Sequence, residues 1–234
     1  MVRPIDTYQL GKKCRGLVGV FNYVEFDDKT VNCRFGALED SKNLMSVFEQ
    51  MNYLVEPFTD LTKNDTFKQL DEISKRVNSD SLVLFFLSHG NGENNFHTKD
   101  IGGSINVHDI MYHFTNSKCP NMTGKPKILL FNYCRGETYQ SNRIESDGAS
   151  SNEQEVPQDM GIVHAAPPRI KALRSPDTGT IFVNSLCKVL CKSAQTKDLH
   201  DVVTETSQLM QKCDYNGTTA SCTFYDMKKK FYFM

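Results

Sequence analysis

The chain has 234 residues but no tryptophan, no long apolar run and almost no net charge. Each absence removes a class of function. No segment approaches the roughly 18 apolar residues that a membrane span needs. The N-terminus, "MVRPIDTYQL", lacks the apolar stretch of a secretory signal. With 27 basic and 28 acidic residues, no field of one sign exists to draw in nucleic acid or an anionic membrane. Cysteine is present eight times, yet no C-x-x-C pair and no histidines at zinc spacing accompany it. A disulfide scaffold would be shorter and denser in cysteine. Sequons at Asn64, Asn121 and Asn216 read as chance matches without a secretory signal. A soluble protein of the reduced cytosol is expected, with neither metal nor cofactor.

What is present is an alternation of apolar strands and amphipathic helices. "RGLVGVFNY" (15 to 23) reads as a strand, and the loop after it carries Asp27, Asp28, Asn32 and Arg34. In "LEDSKNLMSVFEQM" (38 to 51), Leu38, Met45, Phe48 and Met51 fall near helical spacing. "NYLVEPF" is a short strand, and "TFKQLDEISKRV" repeats Phe67, Leu70, Ile73 and Val77 as a second helix. An apolar strand at 82 to 87, a glycine-rich loop region at 90 to 104, a helix near 105 to 115 and a strand at 127 to 132 follow. Strands apolar on both faces and separated by helices predict an α/β fold around a parallel sheet covered on both sides. Residues 137 to 158 are polar and without period, long for a connection inside a compact domain. Order resumes at "GIVHAA" (161 to 166), two helices follow, and "SCTFYDMKKKFYFM" is a terminal strand and tail. The portion after the polar stretch has too little apolar surface to stand alone, so both portions are expected to share one sheet.

Two strand ends carry the chemistry. "SLVLFFLSHG" (81 to 90) delivers His89 and Gly90, and "KPKILLFNYCRGE" (125 to 137) delivers Cys134 followed by Arg-Gly. In open parallel sheets, ligands bind beyond the carboxyl ends of the strands. A thiol becomes a nucleophile as thiolate, beside a base or a positive charge. His89 can be that base, and the N–H groups of Gly90 and Cys134 can form an oxyanion hole. The same residues also admit a plain structural reading, in which Cys134 is a buried thiol and His89 a loop histidine.

These segments resemble the caspases, cysteine endopeptidases that cut after aspartate. "LSHG" is similar to the family's histidine motif and "NYCRG" to its cysteine motif. "CRFGALEDSKNL" (33 to 44) resembles the segment that bears the first substrate-binding arginine, here Arg34. "LRSPDTGTIFVNSLC" (173 to 187) resembles the segment with the second, here Arg174. The resemblance runs through nearly the whole chain in the same order. It implies a mostly parallel six-stranded sheet with helices on both faces. Residues 1–136 would be a large-subunit-like portion, 137–159 a cleavable linker and 160–234 a small-subunit-like portion, all one catalytic domain.

The implied mechanism has Cys134 attack the carbonyl after a substrate aspartate while His89 moves protons. Arg34, Arg174 and Asn132 would hold the aspartate, because a buried carboxylate needs cationic, forked donors. Ala172 and Leu173 would line the groove beside Arg174. Asp147 in "IESDGAS" (144 to 150) is the expected processing site, with Asp159 a second. The partners implied are protein substrates with Asp at the cleaved position, and a homodimer or a heterodimer with another caspase through the terminal strand. A chain beginning almost at its first strand suits the effector type, with a short prodomain, acting in the cytoplasm in programmed cell death.

Several positions depart from the family. Asn132 stands where glutamine usually lines the aspartate pocket, and Tyr133 where a small alanine is usual. Lys171, Ala172 and Leu173 occupy the stretch where a tryptophan precedes the arginine, and Ile181 replaces another. Lost aromatic area weakens remote substrate contacts that support the reacting centre. Two main expectations therefore stand side by side: an active Asp-specific protease, and a caspase-like decoy or regulator that pairs with an active relative. A non-proteolytic α/β binding module is the third.

Overall fold

The computed structural model describes residues 6–136, 155–169, 174–175, 179–213 and 218–234. The large portion runs β1 (Leu17–Asn22), α1 (Ala37–Gln50), β2 (Leu54–Thr59), α2 (Lys63–Arg76), β3 (Leu82–Leu87), β4 (Asn95–His97), β5 (Ser104–Asn106), α3 (Val107–His113) and β6 (Lys127–Asn132). Then come β7 (Met160–His164), β8 (Arg174–Ser175), β9 (Gly179–Thr180), α4 (Ile181–Ser193), α5 (Leu199–Lys212) and β10 (Ser221–Tyr225). Six strands form one sheet in the order β10-β7-β6-β3-β1-β2, parallel except for the β10–β7 pair. The expected sheet is the observed one.

Strand alternation divides the core into two layers. Val18, Val20, Val83, Phe85, Ile128, Leu130 and Val163 pack under α1, α4 and α5, against Leu44, Phe48, Phe182, Leu186 and Val202. Leu82, Leu84, Phe86, Leu129, Phe131 and Ile162 face α2 and α3, against Leu70, Ile73, Val107 and Ile110. Every residue of β1, β3 and β6 is buried, and each fully buried Leu, Phe or Val contributes roughly 1.5–3 kcal/mol relative to exposure. Slipping a strand by one place would carry its side chains to the opposite face, so packing holds the register.

The structure refines three readings of the sequence. Of the expected stripe on α1, Phe48 and Met51 are buried but Leu38 is 52% exposed; the buried positions within the helix are Ala37, Asp40, Leu44 and Phe48. Their spacing is helical, but one of the four is an acid, which apolar counting passes over. The glycine-rich region contains the β4–β5 hairpin, antiparallel, with Phe96 opposite Ile105 and both fully buried. The helix near 105 to 115 begins at Val107, where Asn106 Oδ1 accepts the His108 N–H at 2.9 Å.

Of the polar stretch, 137–154 lies outside the described residues, and so does Asp147. Its far end is anchored. Glu155 accepts from the Ser117 N–H and hydroxyl, and Asn116 Nδ2 donates to Gln158 Oε1 at 2.9 Å.

Candidate active site

Parallel pairing sets Leu87 of β3 opposite Asn132 of β6. The ladder runs one step further, with the Ser88 N–H donating to the Asn132 carbonyl at 3.2 Å. His89 and Cys134 each stand two places past these partners, at the same level of adjacent strands. Both residues lie just past the ends of their strands, at the carboxyl edge of the sheet. Gly90 is required by this closeness: a Cβ there would lie 1.7 Å from the Cys134 carbonyl oxygen. The backbone of Cys134 is what this glycine makes room for.

The β4–β5 hairpin fixes the histidine's backbone. The His97 N–H donates to the His89 carbonyl at 2.9 Å, and Gly90 bridges to Phe96. His89 Nε2 lies 2.9 Å from the Asn32 carbonyl. An oxygen acceptor there selects the tautomer with its proton on Nε2 and leaves the lone pair on Nδ1. Phe26 covers the ring at 5.5 Å.

Arg34 is buried to 1% exposure. Its Nη1 donates to Asn22 Oδ1, the Tyr23 carbonyl and the Leu87 carbonyl, at 2.8 to 2.9 Å. These bonds hold a cation at the carboxyl ends of β1 and β3, beside the histidine. Arg15 and Arg135 are committed to other bonds. Arg15 Nε donates to the Met51 carbonyl near the opposite ends of the strands. Arg135 braces the turn behind the cysteine, through Nε to the Glu93 carbonyl at 2.8 Å and Nη2 to Asn94 Oδ1 at 3.1 Å.

Asn132 turns its amide nitrogen to Thr180 Oγ1 at 2.8 Å. Thr180 in turn donates to Asp40 Oδ1, by its N–H at 2.7 Å and its hydroxyl at 3.2 Å. Asp40 and Thr180 were not found by sequence reading. Arg174 pairs with Thr180 across the short β8–β9 hairpin, so its backbone is placed beside this network. Ala172 and Leu173 lie outside the described residues. Tyr133 is absorbed rather than crowded, packing on Phe96, Phe131 and His164 with its hydroxyl donating to the Glu93 carbonyl at 3.3 Å.

Asp159 is ordered, with φ of 52°. Its carboxylate accepts the Tyr8 hydroxyl at 2.6 Å and its carbonyl accepts the Lys127 N–H at 2.8 Å. A protease groove takes extended chain, so cutting after Asp159 would first require breaking these bonds.

His164 lies in the buried strand β7. It is 8% exposed, stacked on Phe131 at 5.4 Å, and its Nδ1 has no hydrogen-bond partner among the described residues. Burial, with Arg135 and His108 nearby, lowers its pKa from 6.5 to about 3. The unfolded chain therefore takes up this proton first, and stability is lost as pH falls below about 6.5. Slopes approach about 1.4 kcal/mol per pH unit for one proton. His164→Phe should flatten the decline in denaturation midpoint between pH 7 and 5, a range above most carboxylate titrations; an unchanged slope would contradict this.

None of the eight cysteines forms a disulfide. Burial pushes the Cys187 and Cys222 thiols up to about 12, which leaves them inert near neutral pH. The only cluster of three potential metal ligands among the described residues is Asp198, His200 and Asp201, at the start of α5. There Asp198 already accepts the Asp201 N–H and pairs with Lys230 at 3.4 Å. A cavity of about 240 Å³ opens at the same place, lined by Leu199, Phe224 and Phe231. It is not at the carboxyl ends of β3 and β6, which His89 and Cys134 follow. No helix among the described residues is long and apolar enough to cross a membrane.

Known proteins resemble this chain in sequence and in fold. Caspase Dronc of Drosophila melanogaster is 27% identical over 98% of the chain, and caspase drICE of the same fly is 28% identical over 86%. The chain spans 58% and 62% of the lengths of these two relatives. The crystal structure of caspase-1 from Spodoptera frugiperda superposes with a TM-score of 0.84, covering 100% of this chain and 95% of that one at 23% identity. The family model for the caspase domain matches residues 15–232, and the chain belongs to the caspase family.

Proposed function

We propose that the protein is a cysteine endopeptidase that cleaves after aspartate, acts in programmed cell death in the cytoplasm, and is switched on by cleavage of its linker. The observation that carries this is the register of β3 on β6, which sets His89 level with Cys134 and buries Arg34 against the Leu87 carbonyl. Cys134 Sγ gives its proton to His89 and attacks the carbonyl carbon after the aspartate; the C–N bond breaks, a thioester forms, and His89 passes that proton to the departing amine. The Asn32 carbonyl orients the imidazole through Nε2. His89 then takes a proton from water as the water oxygen bonds to the acyl carbon; the C–S bond breaks, the acid product leaves and the proton returns to Sγ. N–H groups of Gly90 and Cys134 hold the oxyanion, and Arg34 and Arg174 hold the substrate carboxylate.

Purified, linker-cleaved protein with a peptide library is the test. Asp is expected to be preferred over Asn or Ala by at least about 100-fold, since a charge-paired pocket left half empty is strongly penalised. Indifference to this residue, or preference for Lys or Arg, would overturn the assignment. Failure to cut any peptide while binding an active caspase would favour the regulator reading. The commitment of the Asn132 amide to Thr180, in a chain without tryptophan, is what supports that second reading.

Activation is assigned to Asp147–Gly148. Fragments 1–147 and 148–234 would remain joined, because β6 pairs with β7 from Lys127↔Met160 to Phe131↔His164. Mass spectrometry after incubation with an active effector caspase should find this cut. An intact bond, with the same activity in Asp147→Ala, would remove the zymogen account. Pairing of two catalytic units is assigned to β10, an edge strand with Phe224 42% exposed. Phe224→Asp should lower the sedimentation coefficient, and an unchanged value would count against pairing there.

A further inference from the structure

We propose that Asp40 is a positioning residue for recognition of the substrate carboxylate, acting through Thr180 on the hairpin that carries Arg174. The inference rests on the pocket assigned above to Arg34 and Arg174. Asp40 is fully buried on the inner face of α1, among Ala37, Leu44 and Phe48. A carboxylate in such a place is strongly disfavoured unless it is hydrogen-bonded. Its Oδ1 accepts both the N–H and the hydroxyl of Thr180. A hydroxyl has one proton to give. With that proton directed to Asp40, Thr180 Oγ1 is an acceptor for Asn132 Nδ2 at 2.8 Å and for the Val183 N–H at 3.3 Å. The chain of bonds is therefore directional, from Asn132 through Thr180 to Asp40.

Three segments of the site meet on this one carboxylate. Asp40 belongs to the helix entered directly from the Arg34 loop. Thr180 is the register partner of Arg174. Asn132 ends the strand that delivers Cys134. Contact with the hairpin is close: Gly179 has φ of 85°, and a Cβ there would lie 2.4 Å from Asp40 Oδ1. Asp40 thus sets where the Arg174 backbone stands relative to Arg34 and the cysteine, without itself touching substrate.

A purely structural role, capping α4 through Thr180, predicts lower thermal stability with unchanged discrimination. The test measures kcat, KM, the ratio of Asp to Glu cleavage and melting temperature in the linker-cleaved protein. Alkylation of Cys134 by iodoacetamide, which carries no carboxylate, is followed beside them. Asp40→Ala and Thr180→Val should each raise KM for the Asp peptide at least about tenfold and lower the Asp:Glu ratio similarly, as misplaced binding groups do. Alkylation should stay within about twofold of wild type, because it reports the thiolate. Asp40→Asn and Thr180→Ser, which keep the acceptor and the hydroxyl, should restore both values. Folded Asp40→Ala or Thr180→Val protein with the full Asp:Glu ratio overturns the proposal, and so does loss of alkylation in step with loss of cleavage. Should Asp40→Ala fail to fold, Thr180→Val against Thr180→Ser decides alone. A wild-type enzyme without preference for Asp brings down the pocket assignment itself, a failure visible before any substitution is made.

Discussion

Cys134→Ala is expected to leave the fold intact and to lose hydrolysis by several orders of magnitude, together with all covalent labelling by an aspartyl electrophile. The side chain is only partly buried, so its removal opens no core cavity. His89→Ala should be nearly as damaging to turnover. Its backbone would still be held by the His97 N–H and the bridge to Phe96, so the loss would be chemical rather than structural. Peptide turnover and electrophile labelling, each with a thermal melt as control, check both variants. Labelling or turnover that survives in Cys134→Ala removes the nucleophile assignment.

Gly90→Ala should damage activity almost as severely by geometry alone. The added methyl would meet the Cys134 carbonyl oxygen at 1.7 Å, with the Tyr133 ring at 3.2 Å on its flank. Backbone cannot swing aside as a flexible side chain can, so the two strand ends must part. Over-packing of this kind costs about 1–3 kcal/mol. A reacting group misplaced by about 1 Å costs roughly 100-fold in rate. The expected result is a folded, less stable protein in which the thiol still alkylates but peptide cleavage falls at least about 100-fold. Wild-type kinetics in Gly90→Ala would mean that the strand ends do not approach as described.

Much of this molecule is legible from its residues in order. The apolar runs at 82 to 87 and 127 to 132 are too uniformly hydrophobic for a half-exposed sheet, and the parallel, doubly covered sheet follows from them. The histidine and cysteine motifs each begin as such a run ends, so their place at the carboxyl edge is set by chain order. Arg34 could be singled out by its motif. Nothing in the sequence distinguishes it otherwise from Arg15, which lies near the opposite ends of the strands. Only burial and the bonds to Asn22, Tyr23 and Leu87 separate the two.

Tertiary structure alone decided the rest. That His89 stands level with Cys134 depends on the register Leu87↔Asn132, and register comes from how two faces pack, which no single strand's composition encodes. The β4–β5 hairpin escaped notice because its strands are three residues each, too short to show a period. Asp40 looks like any acid in the first turn of a surface helix, and Thr180 like an ordinary N-cap. Their partnership joins positions 140 residues apart, a distance over which local pattern carries no information. His164 sits in an apolar strand, and nothing in its sequence context shows that its Nδ1 finds no partner among the described residues. The chain order therefore determined the sheet and the two candidate side chains, His89 and Cys134, at its edge. Long-range packing determined which polar groups hold them in place.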